Sequence, residues 1–156
     1  MDVVEDSSAV ERCYRQHGDK LWRSLLAYAG DPEVASDAVM EAFAQMLRRG
    51  PAVRDPERWV WKAAFRIAAG ELKERRRRAP IEASGAYELE AGAGELVGAL
   101  QRLSEKQRAA VVLHHAAGYP VKDVAAIIDS TPGAVKVHLL RGRRRLRELL
   151  GEEGAS

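Results

Sequence analysis

Between Lys136 and Arg147 the chain carries Lys136, Arg141, Arg143, Arg144, Arg145 and Arg147, with no acid among them. Lys136, Val137, Leu140, Arg141 and Arg144 are spaced to share one face of a helix. Val135, Leu139, Leu146 and Leu149 fall at helical spacing on another face. A helix that buries one side and shows unbroken positive charge elsewhere suits a polyanion. A guanidinium pairs with phosphate, or with guanine through two hydrogen bonds, and exposed Val or Leu can meet thymine methyls. An ordinary solvated face would mix the signs of its charges.

The elements that must hold this face are read from punctuation and periodicity. The 156 residues suffice for one domain or two small ones, and no long period-two alternation or hairpin turn signals a strand. The pattern predicts an all-α chain. A first helix spans about Ala9 to Ala29, broken or bent near Gly18. Asp31 and Asp55 are good helix caps, each followed by proline at the first helical position, and Gly50 ends the second helix. In the third helix Trp59, Ala63, Ile67 and Leu72 are expected to form the buried stripe. Residues 79–94, "APIEASGAYELEAGAG", are poor in large apolar residues and read as a flexible acidic linker. Two small helical domains therefore flank it, residues 1–78 and 95–156.

The second domain opens with a helix near Glu95 to Leu103, then a helix capped by Ser104 and closed by Gly118. "PVKDVAAII" is a short amphipathic helix, "DST" a tight break, and Thr131 with Pro132 starts the last helix. Short helix, three-residue turn and longer helix make a helix-turn-helix. Val124, Ala125 and Ile128 should pack on Val135 and Leu139, with Gly142 continuing that face. The last helix then presents Lys136, Val137, Leu140, Arg141 and Arg144 to a major groove, while Arg143 to Arg147 meet phosphate.

At these residues the chain resembles a known family. "LSEKQRAAVVLHHAAGYPVKDVAAIIDSTPGAVKVHLLRGRRRLREL" is similar to the promoter-binding C-terminal domain of bacterial RNA polymerase sigma factors, extracytoplasmic-function class of the sigma-70 family. The matching positions are Gln107, Arg108, Gly133, Ala134, Val135, Lys136, Val137, His138, Arg141 and Gly142. "SDAVMEAFAQML" resembles the family's polymerase-docking helix, and "DPERWVWKAAFRIAAGELKERRRR" the helix that melts the upstream promoter element. Met40, Gly70, Pro120 and Val137 depart from the usual residues.

The resemblance implies an alternative sigma factor that binds core RNA polymerase and directs initiation from -10 and -35 promoter elements. The rival reading is a sigma-like DNA-binding regulator that does not itself initiate. Asp37, Met40, Glu41 and Leu47 would face polymerase. Lys136, Val137, His138, Leu140, Arg141 and Arg144 would meet the -35 element. Arg58, Trp61, Lys62, Arg66 and Lys73 would meet the -10 element. Trp61, off the expected stripe and beside Arg58 and Lys62, is the candidate to stack on an unpaired base, worth roughly 1–3 kcal/mol. The resemblance also admits an anti-sigma factor as a further partner.

Other chemistry finds little support. His114-His115 has no Cys, Asp or Glu at metal-ligand spacing. No glycine-rich phosphate loop or nucleophile elbow occurs, so neither an enzyme nor a cofactor is expected. Cys13 is the only cysteine, excluding an intrachain disulfide, and the N-terminus lacks a signal-peptide pattern. A cytoplasmic protein with no membrane insertion is expected.

Overall fold

The computed structural model of the protein describes residues 2–78 and 93–154. Among the described residues there are seven α-helices and no strand. Helices α1 (Asp2–Ala29), α2 (Pro32–Arg49) and α3 (Pro56–Arg78) form a three-helix unit. Leu21 and Leu25 of α1, Val34 and Met46 of α2, and Val60 and Trp61 of α3 are its buried centre. The caps act as the sequence predicts. The Asp31 carboxylate accepts from the N–H groups of Glu33 (2.8 Å) and Val34 (3.4 Å), and Asp55 accepts from the N–H of Arg58 (3.2 Å). Arg75, from the far end of α3, also donates to the buried Asp31, tying the start of α2 to α3.

Two expectations are corrected here. Helix α1 runs unbroken through Gly18. Gly18 is buried and the Tyr14 ring packs over it, 3.4 Å from where a Cβ would stand. That packing offsets the roughly 1 kcal/mol that glycine costs inside a helix. The buried stripe of α3 is also rotated. Val60, Trp61, Ala63, Ala64, Phe65 and Ala68 face inward, whereas Trp59, Ile67 and Leu72 are only partly buried. Cys13 lies within this unit, and burial first, then the charges of Glu57 and Asp55, pushes its thiol pKa up to about 11.

The second unit comprises α4 (Ala93–Leu100), α5 (Glu105–Val111), α6 (Val121–Ile127) and α7 (Pro132–Gly154). Ala93 and Gly94, expected in the linker, begin α4, and the rest of that segment lies outside the described residues. Ser104 and Gln107 form a reciprocal capping box at α5. Ser104→Ala should therefore destabilise this unit by about 1 kcal/mol in thermal unfolding, and an unchanged midpoint would refute the cap. The chain continues from α5 through one π turn, Val112–Ala116, and reverses at Gly118 with φ of 83°.

Val124, Ala125 and Ile127 of α6 are buried with Val135 and Leu139 of α7. Ile127 takes the fully buried position expected for Ile128, which is only partly buried. Thr131 caps α7, its hydroxyl accepting from the N–H of Ala134 at 3.1 Å. Gly142 lets α7 cross α5 closely, since a Cβ there would stand 2.8 Å from Val111 Cγ2.

The two units share one hydrophobic cluster. Gln101 Nε2 donates to the carbonyls of Ala27 (3.0 Å) and Tyr28 (3.3 Å), satisfying acceptors left open at the end of α1. The buried Arg108 guanidinium lies over the Tyr28 ring, 5.2 Å from its centroid, and donates to the carbonyl of Leu103 at 3.3 Å.

Candidate nucleic-acid interface

The face of α7 is built as its spacing predicts. Core packing of Val135, Leu139 and Gly142 turns the other side outward. Lys136, Arg141 and Arg144 are exposed, and with them Val137 (42% exposed) and Leu140 (52%). Lys136, Arg141, Arg144 and Arg147 pair with no acid among the described residues. Arg145 by contrast meets Glu148 at 3.2 Å, and Arg143 Nη1 lies 3.5 Å from His115 Nε2. His138 sits on the flank of the reading face and is half-buried. Burial, then the charges of Lys106 and Arg141, lowers its pKa, which favours the neutral ring.

On α2, Met40 is 64% exposed and Leu47 49%. Asp37 and Glu41 are exposed on the same helix, while Ala42 and Phe43 are buried in the core. Glu41 accepts from Gln45 (3.1 Å) and Arg48 (3.0 Å), and these bonds hold its carboxyl below the usual glutamate range. Asp37, Met40, Glu41 and Leu47 thus share one exposed face of α2, part apolar and part anionic.

On α3, Arg58, Lys62, Arg66 and Lys73 share one stripe. Lys73 is exposed and has no ion-pair partner among the described residues. The other three form ion pairs with carboxylates of the second unit, while Arg58 and Arg66 stay exposed to solvent. Arg58 meets Asp123 of α6 at 2.9 Å, and Lys62 and Arg66 each meet Asp129 at 3.3 Å. Lys62 first, then Arg66, holds the Asp129 carboxyl below the usual aspartate range.

Trp61 is not a free stacking surface. It is 1% exposed, stacked against Phe65 (centroids 6.0 Å) and meeting the Tyr119 ring edge-on (5.2 Å). The physical reason is the rotated stripe of α3, which turns Trp61 inward and leaves Trp59 at the margin. There the Arg49 guanidinium stands 5.9 Å from the Trp59 ring. Sequence reasoning missed Asp123, Asp129 and Tyr119 as partners of α3, because isolated acids in and near a turn carry no signal of a neighbour some sixty residues away.

His114 Nδ1 lies 2.8 Å from the Tyr119 carbonyl, and the two histidine rings meet edge to face. No cluster of metal-ligating side chains occurs among the described residues. None of the described helices is long and apolar enough to cross a membrane.

A helix-turn-helix with an open cationic face, packed on a three-helix unit with an apolar and acidic patch, defines a two-part DNA-binding protein. The family model described as "Sigma-70, region 4" matches residues 93–146. The chain is 31% identical over 161 residues to the ECF RNA polymerase sigma factor SigM of Mycobacterium tuberculosis, covering 96% of this chain and 81% of that protein. It is 25% identical over 174 residues to the ECF RNA polymerase sigma factor SigE of Mycolicibacterium smegmatis, covering 99% and 67%.

Two solved structures share the fold. The sigma factor RpoE of Bartonella quintana, in complex with the anti-sigma factor NepR, superposes with a TM-score of 0.74 at 22% identity, covering 88% of this chain and 95% of that one. CnrH, in complex with the cytosolic domain of CnrY, gives 0.75 at 19% identity, covering 97% and 93%. The chain belongs to the extracytoplasmic-function (ECF) RNA polymerase sigma factors. It is an alternative sigma factor, a protein that directs transcription initiation, and sigma factors are generally not enzymes.

Proposed function

We propose that the two units divide the work of promoter recognition. Residues 1–78 dock on core polymerase and engage the -10 element, residues 79–94 link them, and residues 95–156 read the -35 element. Lys136, Val137, Leu140 and Arg141 contact base edges, with His138 at their flank and Arg144 on the backbone. Asp37, Met40, Glu41 and Leu47 contact polymerase. On α3, Arg58, Lys62, Arg66 and Lys73 track the DNA strand, and Trp61 supports that helix from the core rather than stacking on a base.

The observation that carries this reading is the open α7 face, where exposed Lys136, Arg141 and Arg144 stand beside exposed Val137 and Leu140 and have no ion-pair partner among the described residues. The site of action is the cytoplasm, where polymerase and promoter DNA meet. An anti-sigma factor is a natural further partner, given that both fold neighbours were solved with a second protein bound.

The test separates the two surfaces. Charge reversal at Asp37 and Glu41 should cut association with core polymerase by at least about tenfold, the effect of losing roughly 1.4 kcal/mol. Binding of the same variant to -35 duplex DNA should stay unchanged. Loss of both, or of neither, would overturn the assignment.

A further inference from the structure

Among its described residues, the three-helix unit leaves three large apolar side chains exposed: Met40 and Leu47 of α2, and Tyr14 of α1. Tyr14 is 50% exposed, yet its ring is held on two sides. It meets the buried Phe43 ring edge-on, with centroids 5.1 Å apart. It also lies over the bare backbone of Gly18, one turn along α1. A Cβ at residue 18 would already touch the ring at 3.4 Å, and a longer side chain would contend for the same space. Phe43 stands one turn from Met40 and one turn from Leu47 on α2. The three exposed groups therefore border one buried ring. The Tyr14 hydroxyl has no hydrogen-bond partner among the described residues.

We propose that Tyr14 is an aromatic anchor of the polymerase-docking face, which then spans α1 and α2 rather than α2 alone. This rests on the reading of Asp37, Met40, Glu41 and Leu47 as polymerase-facing residues. The ring is already placed by Phe43 and Gly18, so binding has little side-chain freedom left to remove. A half-exposed tyrosine offers a broad apolar face and a polar tip, the combination favoured at the energetic centre of interfaces. Asp37 and Glu41 lie on the same α2 face and add negative charge beside it. The polymerase surface that fits this face has an apolar recess for the ring and cations opposite the two carboxylates.

The experiment measures association of the full chain with core polymerase, together with hydroxyl-radical footprinting of the unsubstituted protein. Tyr14→Ala should weaken association about tenfold or more, the scale of an interface anchor, while binding to -35 duplex DNA stays unchanged. Tyr14→Phe, which keeps a ring against Phe43, should retain most of the affinity. In the footprint, core polymerase should protect Tyr14 and Met40 together, a readout that does not depend on how well any variant folds. If Tyr14→Ala loses DNA binding as well, the footprint decides. Protection of Met40 without Tyr14, or full affinity in Tyr14→Ala, would overturn the anchor and leave the α2 reading standing. Protection of neither residue would overturn both.

Discussion

Replacing Trp61 by alanine will destabilise the protein by about 3–5 kcal/mol, the usual cost of deleting a large buried aromatic. The indole is 1% exposed and fills the space between Phe65 of α3 and Tyr119 of the second unit. Its removal opens a cavity at the junction of both units, so thermal unfolding should fall in one transition rather than in the first unit alone. Trp61→Phe should be much milder, under about 1.5 kcal/mol, as for other swaps that nearly conserve volume. The reason is specific to this site: Trp61 Nε1 has no hydrogen-bond acceptor among the described residues, so phenylalanine forfeits volume and no bond. Trp59→Ala, at a partly buried position, should cost less than Trp61→Ala. Equal losses at the two tryptophans, measured by thermal or urea unfolding, would show that Trp61 is not the core residue described above.

Replacing Lys136 or Arg141 by alanine will change which promoters are used, beyond weakening binding in general. A side chain that reads a base edge contributes roughly 1–3 kcal/mol of discrimination, about five- to 150-fold between right and wrong base pairs. Transcription from a library of -35 variants should therefore flatten at one or two positions for each substitution. Arg144→Ala should behave differently, lowering binding to all sequences alike and reducing the salt slope by about one unit. The structure makes the comparison fair, because all three side chains are exposed and none is paired with an acid among the described residues. Uniform weakening at Lys136 and Arg141, with no shift in preference, would reduce the α7 face to a backbone clamp.

Local chemistry made much of the fold legible. Asp31, Asp55, Ser104 and Thr131 announce helix starts because their side chains satisfy N–H groups that the helix itself cannot. Thr131 and Pro132 start α7, so the register of its reading face could be worked out directly. Helix α3 was harder. Ala63, Ala64, Ala68 and Ala69 blur its apolar stripe, and two tryptophans two residues apart point to different sides, so either could be taken as buried. Gly18 misled in another way: its propensity argues for a bend, and only the ring of Tyr14 shows why the helix continues. The pairing of Arg66 with Asp129 spans 63 residues and depends on how two units dock, which no local pattern encodes.

Cys13 gives the protein a built-in stopwatch. With its pKa pushed up to about 11 by burial, the thiol stays protonated at neutral pH, and the side chain is buried as well. Thiol reagents must therefore wait for the three-helix unit to open. The chain has no second cysteine to complicate the signal. The labelling rate times the breathing of α1 against α2 and α3, and a polymerase or inhibitor seated on that unit should slow it in proportion to how firmly it is held.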